Sequence, residues 1–220
     1  MSESNAVQIG RRPTAKWGDR TQRRIDILEA ARDRIARGGY LALNMRDLAA
    51  DAGVSPGTLY SYFATKEQLF ATVYAEAIRR HTEDFRPVAE AGHDLEALLT
   101  EVIERHVELY RTFGRHIPLW SALRHDPEES TPPVARELVV ELRAATLEHN
   151  RLLMESLREA AGRDGRRITD PVLVPGLLWS ALNGLADHLT TERRSLDPYP
   201  ARDLLAFAAR RLAVALTDPA

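Results

Sequence analysis

A chain of 220 residues accommodates one large domain or two modest ones, and either can bury a sizeable core. Its charges nearly cancel, 30 Lys+Arg against 32 Asp+Glu, which excludes a uniformly basic nucleic-acid coat or an acidic disordered tail and makes any charged surface local. With no cysteine, disulfides, thiolate metal sites and cysteine nucleophiles are excluded.

The first 24 residues are polar and Arg-rich, so no signal peptide is expected and the expected location is the cytoplasm. Residues 1–18 read as a disordered arm. The longest apolar stretch, 171–186, has 16 residues and is interrupted by Pro175, Gly176, Ser180, Asn183 and Gly184. A membrane span needs about 20 apolar residues, so this stretch reads as a buried helix and no membrane partner is expected.

Apolar residues recur at helical spacing along the chain, and alternating β-branched runs between turn signals are missing, so the fold class is all-α. A first helix begins near Thr21, carries Ile25, Leu28, Ala31 and Ile35 on one stripe and stops at Gly38-Gly39. Asn44 caps a short helix over 45–52, with Asp47 in its first turn and Gly53 at its end. Ser55 caps again, with Pro56 at the first helical position, and a third helix runs over 56–63. Thr65 and Gln68 form a capping-box pattern ahead of a longer amphipathic helix carrying Leu69, Phe70, Val73, Tyr74, Ala77 and Ile78. Beyond Pro87 the pattern gives helices near 94–113, 117–125, 132–161, 171–191 and 201–216, with loops at 126–131, 162–170 and 195–200.

The segment 44–63, NMRDLAADAGVSPGTLYSYF, sets two short helices at a steep angle around Leu48, Ala49, Ala52, Val54, Leu59 and Phe63. Gly53 serves a positive-φ turn, and the small Ala49 and Ala52 allow close approach. This is a helix-turn-helix pattern, in which the second helix enters the major groove. A helical hairpin that merely packs is the alternative, but it does not call for the capped short helices, the AGVS turn and Tyr60, Tyr62 and Lys66 together.

Residues 21–81, with AGVSPGTLYSYF and KEQLF as the most specific parts, resemble the TetR family (TetR/AcrR type) of bacterial transcriptional regulators. The resemblance implies a homodimer of helical subunits. Each would have a three-helix DNA-binding domain over 21–81 and a ligand-binding and dimerisation domain over 82–220, and would repress genes until a small molecule binds. By the same pattern Ser55, Pro56, Gly57 and Thr58 open the recognition helix, Tyr60 and Tyr62 approach the backbone, and Lys66 anchors a phosphate. Chemistry agrees: Gly57 admits close backbone approach, Thr58 offers a hydroxyl or methyl to a base edge, the phenols can donate to phosphate, and Lys66 adds charge at a helix N-terminus. The family usually has His where Tyr62 stands, and tyrosine retains a donor. Asn44, Met45 and Arg46 open the preceding helix and Arg24 lies in the first turn of helix one, all candidates for backbone or groove contacts.

In the C-terminal region His106, Tyr110, Phe113, Trp120, His149, Trp179 and Asn183 suit a pocket for a small apolar or aromatic effector, with His116 and His188 in the same stretch. Core packing with satisfied histidines is the alternative. LLWSALNGLADHL, 177–189, resembles the penultimate helix of many TetR-type proteins. There Ala181 and Gly184 permit close helix approach, and Leu178, Leu182, Leu185 and Leu189 pack on Leu205, Ala208 and Leu212 of the last helix, so that two subunits form a four-helix interface.

His188 and Glu192 at i, i+4 have no second pair, so no metal is expected. Ser121, His125 and Asp126 lack a nucleophile elbow and an oxyanion-forming glycine run, so no enzyme and no cofactor are expected. The expected function is a ligand-responsive repressor on a palindromic double-stranded operator. The alternative is an architectural DNA-binding protein whose C-terminal part only dimerises or binds a protein. Residues 1–46 carry 10 basic and 5 acidic groups while residues 87–220 carry 16 and 21, so the near-zero total hides a basic end and an acidic body.

Overall fold

The computed structural model describes residues 20–114 and 136–220. The arm expected over 1–18 and the helix and loop expected over 117–131 lie outside the described residues. In chain order the helices are α1 (Arg20–Gly38), α2 (Met45–Asp51), α3 (Pro56–Tyr62), α4 (Lys66–Glu90), α5 (Leu95–Phe113), α6 (Arg136–Arg163), α7 (Val174–Thr190) and α8 (Ala201–Ala215).

The capping chemistry sets the N-terminal boundaries. The Asn44 side chain accepts from the amides of Arg46 and Asp47, Ser55 from Thr58, Thr65 from Gln68 and Asp94 from Ala97, each satisfying donors that a helix start leaves unpaired. Gly39 and Gly53 adopt φ of 63° and 64°, the left-handed turn that stops α1 and separates α2 from α3. In α1 Ile27 is buried with Leu28, Ala31 and Ile35, whereas Ile25, placed on the stripe by spacing, is exposed. Positions 27, 28, 31 and 35 keep to one face of a 3.6-residue period, and position 25 falls about 100° around the helix from it.

α4 continues past Pro87 to Glu90, although the proline removes the amide that would bond the Glu83 carbonyl. Phe85 is buried and Val88 and Ala89 pack beside it, so tertiary burial offsets the missing bond. The division expected at residues 81 and 82 therefore falls inside an unbroken helix.

Two apolar cores result. The first joins α1–α3 to Leu69–Ile78 of α4 and to Leu138, Leu142 and Ala145 of α6. The second joins Phe85 of α4 and Leu152–Ala161 of α6 to α5, α7 and α8. Each fully buried Leu or Phe contributes about 1.5–3 kcal/mol. Because α4 and α6 pass through both cores, and are joined by the Arg79–Glu141 ion pair at 2.7 Å, they connect the helix-turn-helix to the C-terminal half as rigid rods.

The loop expected over 162–170 contains a strand, β1 (Arg166–Ile168), paired antiparallel with β2 (Thr217–Pro219) after α8. Gly165 at φ 64° turns the chain out of α6, and Arg166 Nε bonds Thr217 Oγ1 at 2.5 Å, tying the C-terminus to the second core. Three residues per strand are too few to show periodicity.

Candidate nucleic-acid interface and ligand cavity

Leu48, Ala49, Leu59 and Phe63 are buried between α2 and α3, with Ala52 and Val54 packed at the edge. α1 braces this unit, since Arg34 bonds Asp51 at 2.6 Å and lies 3.7 Å from Asp47. Ser55, Pro56, Gly57 and Tyr60 are exposed, Tyr60 by 52%, and Thr58 is half-buried. Outward at the same surface stand Arg46 and Asn44.

Several expected contact residues have local partners. Met45 is only 8% exposed and belongs to the first core, so it is corrected from a DNA contact to a packing residue: the first turn of α2 sends position 45 inward with Leu48 and Ala49. The Thr58 hydroxyl lies 2.9 Å from Ser55 Oγ, in a pair in which either oxygen can donate. Arg24 sits 5.8 Å from the Phe63 ring and 4.0 Å from Glu76, and Arg20 lies 5.7 Å from the half-buried Tyr62 ring. The Lys66 ammonium lies 3.9 Å from the centre of the Tyr40 ring, whose hydroxyl donates to Glu67 at 2.5 Å. Burial lowers the Lys66 pKa, and Glu67 partly offsets it, whereas burial and the bond to Glu67 push Tyr40 up.

In the second core a cavity of about 30 Å³ opens between α4, α5, α6 and α7. His81 and Phe85 of α4, Val102 and His106 of α5, and His149, Asn150, Leu153 and Met154 of α6 form three walls. Pro175, Leu178, Trp179 and Leu182 of α7 form the fourth. The ring centres of His81 and His149 are 4.9 Å apart, and those of His106 and Trp179 are 5.3 Å apart with the rings nearly perpendicular. Burial, and then the proximity of the rings to one another, lowers all three histidines to about 4, so they are neutral near pH 7.

Of the residues expected to line a pocket, His106, His149 and Trp179 line this one, and Asn183 lies outside the lining, its amide donating to the Trp179 carbonyl at 2.9 Å. Tyr110 instead donates its hydroxyl to Asp187 at 3.2 Å, and Phe113 packs on Phe70 and Tyr74 in the first core. Neither lines this cavity, because the stripe of His106, Tyr110 and Phe113 runs past it from one core to the other; Phe113 instead lines a separate open groove with His81 and Arg105. Trp120 and His116 lie outside the described residues. His81, Phe85 and Asn150 were missed; the i, i+4 pair His81 and Phe85 on α4 was the available signal, obscured by ending the pattern at Pro87.

The apolar face expected to join subunits divides. Leu178 and Leu182 are buried in the chain's own core and line the cavity, while Leu185, Leu189, Leu205, Ala208 and Leu212 pack at its margin. α7 and α8 pack chiefly on α5, not on each other. What faces outward is Leu177 (52% exposed) and Gly184 of α7, and Phe207 (49%) and Val214 of α8. Ala181 is half-buried beside them. His188 bonds Asp197 at 2.7 Å, and Asp197 also holds Arg194, so this histidine is structural.

Among the described residues no helix is long and apolar enough to cross a membrane.

The family described as bacterial regulatory proteins, tetR family, matches residues 27–73. The chain is 28% identical over 187 residues to the HTH-type transcriptional repressor AcnR of Corynebacterium diphtheriae, covering 81% of this chain and 87% of that protein. It is 36% identical over 89 residues to the fatty acid metabolism regulator protein of Bacillus subtilis, covering 39% and 44%. In fold it is similar to the transcriptional regulator FadR from Bacillus subtilis, solved in complex with stearoyl-CoA, with a TM-score of 0.57 at 21% identity over 86% of this chain and 97% of that one.

Proposed function

Because the chain belongs to the TetR family of bacterial transcriptional regulators, we propose that it is a repressor that binds a palindromic operator as a homodimer and releases it when a small molecule enters the cavity. The observation that carries this reading is that one helix holds both ends of the device. α4 begins at Lys66, beside the recognition helix, and 15 residues later presents His81 to the cavity, about 22 Å away at 1.5 Å per residue.

A ligand that fits only when the four walls separate binds one shape of the subunit better than the other, and that difference sets how far operator affinity falls. Moving α4 moves Lys66 and, through the first core, α3. An architectural protein has no use for such a cavity. The dimer reading rests on Leu177, Gly184, Phe207 and Val214, which leave an apolar patch on α7 and α8. Two subunits joined there form a four-helix contact. Residues 21–81 serve DNA and the remainder serves effector and partner subunit, with α4 shared. No reaction is assigned to the chain.

Selecting bound sequences from random DNA with the full chain tests the reading. The expected product is an inverted repeat whose half-sites are centred about 10 base pairs, or a multiple, apart. A single asymmetric site, or no enrichment, contradicts it.

A further inference from the structure

One carboxylate of α4 serves two arginines of α1. Glu76 accepts a hydrogen bond from Arg32 at 3.0 Å, and its other oxygen lies 4.0 Å from Arg24 in a looser ion pair. Glu76 and Arg32 are half-buried, whereas the Arg24 side chain is 48% exposed. The short bond fixes α1 to α4; the long one acts on where the Arg24 guanidinium points.

Arg24 stands beside the recognition helix, 5.8 Å from the centre of the ring of Phe63, the residue that caps the C-terminus of α3. One turn earlier Arg20 lies 5.7 Å from the Tyr62 ring, and Lys66 opens α4 three residues after Phe63. Three cations therefore gather around the turn between α3 and α4. Glu76 lies ten residues along α4 from Lys66, about 15 Å at 1.5 Å per residue. A guanidinium directed to Glu76 is thus directed along α4, away from that turn.

We infer that Glu76 is a positioning residue that governs the DNA contact of Arg24: in the free chain it holds the guanidinium back along α4, and a phosphate takes that guanidinium over when α1 meets DNA. The inference rests on the reading of Arg24 as a phosphate contact and goes beyond it. The exchange is favourable because an exposed ion pair is worth at most about fivefold in an equilibrium constant, while a phosphate contact also releases a condensed counterion. Arg32, held by the shorter bond, keeps Glu76 in place during the exchange. Since Glu76 lies between Lys66 and His81 on α4, a shift of that helix that closes Glu76 on Arg24 withholds a cation from DNA.

Two simpler roles predict other results. A carboxylate that only staples α1 to α4 weakens binding when it is lost. One that repels DNA directly strengthens binding when it is lost, but needs no Arg24.

The test is a double-substitution cycle on the full chain with a random-sequence DNA duplex. Glu76→Gln keeps an acceptor for Arg32 and, with folding checked by circular dichroism and urea midpoint, should bind about two- to fivefold more tightly for each subunit in contact. Arg24→Met should weaken binding and lower the slope of log affinity against log salt by about 0.9 for each subunit in contact. With Arg24→Met already present, Glu76→Gln should change affinity by less than about 1.5-fold. Unchanged or weaker binding by Glu76→Gln, or equal tightening with and without Arg24, overturns the inference while leaving Arg24 as a contact. A salt slope unaltered by Arg24→Met removes both. Should Glu76→Gln not fold, side-chain 1H–15N spectra of the wild-type chain decide. The Arg24 resonance, assigned by its loss in Arg24→Met, should move on adding the duplex while that of Arg32, assigned by its loss in Arg32→Lys, stays; an unmoved Arg24, or both moving together, overturns the inference.

Discussion

Lys66 holds its ammonium 3.9 Å from the centre of the Tyr40 ring, so the cation that opens α4 is steered by an aromatic face fixed in the first core. The ring, in turn, packs edge-on against Phe70 at 5.2 Å. A charge positioned by packing, partly desolvated and set at a helix N-terminus suits the phosphate contact proposed for it.

Lys66→Ala should therefore weaken binding to specific and random DNA alike. The slope of log affinity against log salt should fall by about 0.9 for each phosphate that the substitution leaves unneutralised in each subunit. Tyr40→Leu should weaken binding in the same way but less. An unchanged slope for Lys66→Ala removes that residue from the interface.

Thr58 is expected to act chiefly through its methyl, the group a serine lacks, with its hydroxyl paired to Ser55 at 2.9 Å. Thr58→Ser should change which base is preferred at one position of each half-site and leave binding to random DNA nearly unaltered. Selection experiments on both proteins read this directly, and identical base preferences would exclude the contact.

The three cavity histidines govern stability toward acid. In the unfolded chain they take up protons near 6.5, in the folded chain only near 4, so between those values the unfolded state holds more protons. Stability then rises with pH through that window and is flat above it. One such histidine accounts for up to about 3 kcal/mol, and the total is less than threefold that because the sites interact. Arg105 adds to the effect at His81 and Asp84 opposes it. Urea midpoints measured from pH 7.5 to 4.5 should fall, and His106→Phe should flatten the profile relative to wild type; equal slopes would mean that His106 is not buried neutral.

Phe207→Asp and Gly184→Leu place a charge and a bulky side chain on the outward face of α8 and α7. Each should yield monomers in sedimentation while the circular dichroism spectrum is kept, since Phe207 is half-exposed and open space surrounds Gly184 within the subunit. Dimers of unaltered mass would place the interface elsewhere.

The helix-turn-helix was legible because its determinants are local: Asn44, Ser55 and Thr65 cap within three residues, and Gly53 turns alone. The cavity was legible only in part. His106, His149 and Trp179 stand out by residue type, but whether Tyr110 and Phe113 join them depends on where the α5 stripe crosses from one core to the other, which spacing does not encode. Pro87 misled for the same reason, since a local helix-breaking rule yields to the burial of Phe85. The sorting of α7 leucines into inward Leu178 and Leu182 and outward Leu177 is set by α5, a partner distant in sequence.

The central claim is that cavity and operator compete through α4. Once the operator is selected, a small molecule found by screening to bind the cavity, titrated into the operator complex with release followed by fluorescence anisotropy, tests it most directly. Release should occur over the concentrations at which that molecule occupies the cavity, shifted upward by the same factor that DNA weakens its binding. A cavity saturated with the molecule while the complex stays intact, with unchanged operator affinity, contradicts the account.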